Sequence, residues 1–137
     1  MWQPRTILAR LRHRLDHRAV AHVEGTLKRV RARNLVALRV LDVEHSERSG
    51  SSARVHDLDG ATSTVWLWWY QAKLGELVIC EQPSGAFRDG AVEYGTEDER
   101  GVIDRVPRDI VHRYVRAVAP DGEPPSHFLR SPTTPSG

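Results

Sequence analysis

Cysteine is nearly absent from this 137-residue chain, with Cys80 the single one, and methionine occurs only once. One thiol excludes an intramolecular disulfide, and its neighbours Val78 and Ile79 read as a strand, so a buried, reduced thiol in an intracellular setting is the expectation. Long hydrophobic runs are missing too. No apolar stretch approaches the ~20 residues that cross a bilayer, and residues 1–22 lack the uninterrupted apolar middle of a secretory signal, so the simplest address is the cytoplasm. Catalytic signatures are lacking as well: there is no phosphate-binding loop ending in Lys-Ser/Thr, no nucleophile elbow, no His-Glu-x-x-His and no Cys-x-x-Cys. A non-enzymatic domain without a cofactor is therefore expected.

Some polar groupings invite a sharper reading. His13 and His17 stand one helical turn apart, the spacing used for metal on a helix, but Arg10, Arg12 and Arg14 would repel a cation there, and a solvated basic face explains them. Asp57, Asp59 and Gly60 resemble part of a calcium loop without its distal glutamate, and a hairpin turn accounts for all three. His56, Asp57 and Glu81 flank central strands, yet no spacing brings them together.

Charge is present in quantity and unevenly distributed. Residues 1–39 carry ten Lys or Arg against Asp16 and Glu24, a net +8, whereas the remainder carries ten basic and sixteen acidic residues, a net −6. Such segregation points to a basic arm beside a neutral-to-acidic body, or to a basic start that lies over its own acidic loops.

From Arg5 to about Val20 the period is helical. Ile7, Leu8, Leu11, Leu15 and Ala19 share an arc of about 100°, with Arg10, Arg12, Arg14, His13 and His17 on the remainder. Past Val20 the stripe gives way to Val20-Ala21-His22-Val23 and a mid-run Gly25, which reads as a bulged strand ending near Arg31. Further strands are expected over 34–44, 53–58, 64–70, 77–81, 91–94 and 101–106, with a turn at Asp57–Gly60. Residues 107–119 form a short helix on the spacing of Ile110, Val111, Tyr114, Val115 and Val118, although their β-branching leaves a strand open. Residues 120–137, with five prolines and two glycines, read as a flexible tail.

The expected fold is therefore mainly β within an α+β class. It is a small antiparallel barrel of oligonucleotide-binding or SH3-like architecture over 22–119, preceded by a basic amphipathic helix over 1–21 and followed by the tail over 120–137. Its centre is Val65-Trp66-Leu67-Trp68-Trp69-Tyr70, which holds three of the four tryptophans. Alternation sends Trp66, Trp68 and Tyr70 to one side and Val65, Leu67 and Trp69 to the other, so both sides are apolar and both need cover.

Two functional expectations follow. If the rings and the basic segment open on one face, Trp66, Trp68 and Tyr70 could stack bases while Arg10, Arg12, Arg14, Lys28, Arg29, Arg31 and Arg33 hold phosphates, an arrangement suited to single-stranded nucleic acid. Alternatively, Ile7, Leu8, Leu11 and Leu15 dock on an acidic or apolar protein partner, a second copy of the chain, or an anionic membrane surface.

Overall fold

A computed structural model describes residues 4–119, with side chains described from Ile7 onward. The expected tail over 120–137 lies outside the described residues. The chain runs as α1 (Pro4–Ala32), β1 (Val36–Glu47), β2 (Gly50–His56), β3 (Thr62–Trp68), β4 (Leu77–Cys80), β5 (Gly85–Ala86), a single 3-10 turn at Arg88–Gly90, β6 (Val92–Tyr94), β7 (Val102–Val106) and α2 (Arg108–Val118). This is an α+β fold with one seven-stranded sheet in the order β5-β6-β3-β2-β1-β4-β7. All pairings are antiparallel except β3 with β6. The α+β class and the helix at each end are as expected, but the sheet is not closed into the expected barrel: β5 and β7 are its two edges, and no ladder joins them among the described residues.

The main departure from expectation is α1. It does not stop near residue 21, and no strand occupies 20–31; one helix of 29 residues, about 44 Å long at 1.5 Å per residue, continues through Gly25. A row at four-residue spacing explains why. Ile7, Leu11, Leu15, Ala19, Val23 and Leu27 lie one turn above another, and the lower half of that row, with Val30, packs into the same core as α2 and the sheet. Burial of this face outweighs the weak helix propensity of Val20, Val23 and Val30 and the cost of Gly25. Thr26, another residue that favours strands, bonds its hydroxyl to the His22 carbonyl one turn back at 2.8 Å, which keeps the buried oxygen satisfied.

The helix ends where its carbonyls find other donors. Asn34 adopts φ 53°, Leu35 N–H donates to the Val30 carbonyl at 2.9 Å and Asn34 N–H to that of Arg31 at 3.5 Å. These two bonds make a Schellman closure, and Leu35 packs against the core cluster that includes Val30.

Strand alternation then divides the interior. Ala37, Leu77, Ile79 and Val106 face the helices, while Leu38, Val40, Val55, Val65, Leu67, Val78, Cys80, Tyr94 and Val102 fill the opposite, concave face. β4 is buried on both sides along its whole length, as a central strand between two cores must be. The twelve-residue β1 carries register shifts at Val40/Asp42 and Val43/His45, and such bulges bend a strand and raise its twist, so the sheet curls over its own apolar face. Burial raises the Cys80 thiol to about 12 and, as the largest cause, the Tyr94 hydroxyl to about 12.

Candidate functional site

Two surfaces contain most of the residues singled out in the sequence, and they differ in charge. The first is the amino-terminal half of α1. Ile7, Leu8, Leu11 and Leu15 are 36–63% exposed, whereas Ala19, Val23 and Leu27, next along the helix, are 0–7% exposed. Arg10, Arg12, Arg14 and Arg18 are exposed around the open residues. The acid in this half, Asp16, already meets Arg113 of α2 at 3.2 Å. What remains is an aliphatic ridge in a positive field.

The second surface is the outer face of β3. Trp66 is 2% exposed, because Phe87, just after β5, stacks on it at 4.5 Å between centroids with 6° between planes. Trp68 meets both rings edge-on at 5.7 Å, arrangements that aromatic quadrupoles favour. The Trp68 indole N–H donates to the Glu93 carboxylate on β6. Gly50 is required opposite this strand: with φ +157°, a Cβ there would stand 2.3 Å from the Leu67 carbonyl oxygen and 3.0 Å from the Trp66 ring, so only glycine admits the close approach.

The third ring of the expected platform is elsewhere. β3 ends at Trp68, and Trp69 takes φ 59°, which breaks the alternation. Tyr70 consequently turns to the concave core with Val65 and Leu67, and its hydroxyl donates to the buried Glu76. Desolvation first, then Glu76, raises the Tyr70 hydroxyl above its ordinary range. Trp69 is the more open ring at 46%, and its N–H donates to the Glu97 carbonyl at 2.9 Å.

Beside the stacked pair opens a cleft of about 390 Å³ lined by Glu44, His45, Glu47, Ser52, Thr64, Trp66, Phe87, Arg88, Asp89 and Ala91. Three carboxylates and one guanidinium surround it. No arginine of α1 lines it, and Lys28, Arg29, Arg31 and Arg33 stand exposed at the far end of α1, where Arg29 holds Thr26 at 3.2 Å and reaches Asp104 at 3.8 Å. The candidate phosphate-binding residues therefore lie on or just after one helix, and the rings lie among acids on another element.

Neither the phenylalanine lid nor Glu44 and Glu47 was singled out in the sequence. β1 pairs His45 with Ser52 and Glu47 with Gly50, and β3 pairs Trp66 with Ser52; the alternation of Glu44-His45-Ser46-Glu47 against Ser52 is the signal that could have found this wall. Asp57 is engaged as a turn cap, accepting from the N–H groups of Asp59 and Ala61 at 2.9 and 3.0 Å. Gly60 takes φ 83°, as the turn at Asp57–Gly60 requires. Among the described residues there is no group of three metal-ligating side chains and no helix long and apolar enough to cross a membrane.

No protein-family model matches the chain, and neither does a curated protein or a solved structure. The site is thus read from its own residues.

Proposed function

We propose that this chain is a non-enzymatic binding module whose docking element is the amino-terminal half of α1, and that its partner is a protein carrying an apolar groove rimmed by carboxylates. The observation that carries this reading is the change in cover along one helical row, from 36–51% exposure at Ile7, Leu11 and Leu15, with Leu8 beside them at 63%, to 0–7% at Ala19, Val23 and Leu27. A four-residue ridge is the surface that packs into the groove of another helix, and this ridge continues directly into one that already does so against α2. The surrounding arginines choose the groove's charge. Two copies meeting ridge to ridge would set Arg10, Arg12 and Arg14 against their own kind, a costly juxtaposition.

Nucleic acid is the weaker reading, because phosphate contacts leave the aliphatic ridge uncovered and the buried Trp66 offers no stacking face. An anionic membrane suits the charges, but the open row has no aromatic anchor among the described residues. The test is a binding titration with three probes: a synthetic helical peptide with leucines at three- and four-residue spacing flanked by glutamates, a single-stranded oligonucleotide, and phosphatidylserine vesicles. Saturable binding to the acidic peptide, lost in Leu8→Asp/Leu11→Asp, supports the reading. Binding to the oligonucleotide or the vesicles without the peptide would refute it.

A further inference from the structure

The cleft beside Trp66 and Phe87 is separate from the ridge on α1 and opposite to it in charge. With His45 neutral, Glu44, Glu47 and Asp89 against Arg88 leave its lining at −2. One of the acids, Glu47, already meets the ring of His45 at 2.8 Å, whereas Arg88 is spread over the Phe87 ring at 5.7 Å rather than closed on a carboxylate. A second observation is independent of the charge. The Trp66 indole N–H is buried with no hydrogen-bond partner, although its ring lines the cleft. A buried donor left without a partner is destabilising until an acceptor reaches it, and the other tryptophan N–H groups of this region, on Trp68 and Trp69, have acceptors.

We infer that this cleft binds an arginine side chain presented by an extended peptide segment of a partner protein. Each part of that ligand answers a feature of the lining. A guanidinium is planar and weakly hydrated, so its fork donates to carboxylates, here Glu44 and Glu47, while its aliphatic stem packs at the half-buried Phe87. The adjoining peptide carbonyl supplies the acceptor that the Trp66 N–H lacks, which a bare cation does not. The volume is that of a small-ligand site and admits one long side chain, not a helix.

The experiment follows the Trp66 indole N–H resonance, assigned by its disappearance in Trp66→Phe, during titration of the full chain with three probes. These are the capped tripeptide Gly-Arg-Gly, the same peptide with citrulline in place of arginine, and agmatine, which carries the guanidinium without a peptide carbonyl. The arginine peptide should shift the resonance saturably and bind at least about tenfold more tightly than either other probe. Glu44→Gln/Glu47→Gln, at two exposed positions of β1, should weaken it by at least about tenfold while leaving thermal unfolding unchanged. An absent shift, citrulline binding as tightly as arginine, or indifference to the double substitution would each overturn the cation site. Agmatine binding as tightly as the peptide would overturn its assignment to a peptide ligand.

Discussion

The two halves of α1 share one sequence pattern and have different fates. Residues 7–15 and 19–27 place apolar side chains at the same four-residue interval, yet the second set is sealed by α2 and the sheet, and the first stands in solvent among arginines. A repeated apolar interval therefore says that a face will be covered, not what covers it. In the second half the cover is the protein itself; in the first, the proposed cover is another molecule. Asp16 and Arg113 mark the boundary, holding α2 to the helix just before the buried set begins.

The comparison can be broken most forcefully from the buried side. Leu27→Ala should cost about 2–5 kcal/mol of folding stability, the range for a leucine truncated in a core, measured by urea unfolding. Leu11→Ala, the same substitution four turns earlier, should change stability by no more than about 0.5 kcal/mol yet weaken binding of the acidic helical peptide. Equal stability losses at the two sites would mean that both halves are interior. Arg113→Ala, which releases Asp16 at the boundary, should cost about 0.2–1 kcal/mol, as expected of a partly exposed pair.

The concave core gives a separate pH prediction. The folded Cys80 thiol and Tyr94 hydroxyl titrate near 12, above the ordinary values of about 8.5 and 10 that they regain on unfolding. The unfolded chain then loses these protons first, so their contribution to stability is complete below about pH 8.5 and is lost as pH rises toward 12. Thermal unfolding between pH 8 and 11 should show a falling midpoint, and native Cys80 should resist iodoacetamide at pH 8. Rapid labelling of the folded chain would contradict a buried thiol.

Much of the architecture was legible in the residues, for reasons that also explain the failures. The strands show because the short apolar runs Leu77-Val78-Ile79-Cys80 and Val65-Trp66-Leu67-Trp68 are bounded by turn residues, and Asp57–Gly60 closes as its composition requires. Residues 20–31 misled because Val20, Val23, Thr26 and Val30 favour strands locally, while the partners that decide the matter, Val111 and Tyr114, lie some eighty residues away. Asn34-Leu35 was the available clue, a left-handed closing residue followed by an apolar one. The candidate site was less legible. Its residues were visible, but Trp69's left-handed turn sends Tyr70 to the interior, and the Phe87 lid belongs to a segment with no periodicity.

The most direct measurement of the central claim is amide hydrogen exchange along α1 with and without the acidic leucine peptide. In the protein alone, amides of residues 19–30 should be protected and those of residues 7–15 should exchange faster; with the peptide, slowing should appear in residues 7–15 and vanish in Leu8→Asp/Leu11→Asp. Equal protection of both halves before any peptide is added, or no slowing in residues 7–15 at saturating peptide, would contradict it.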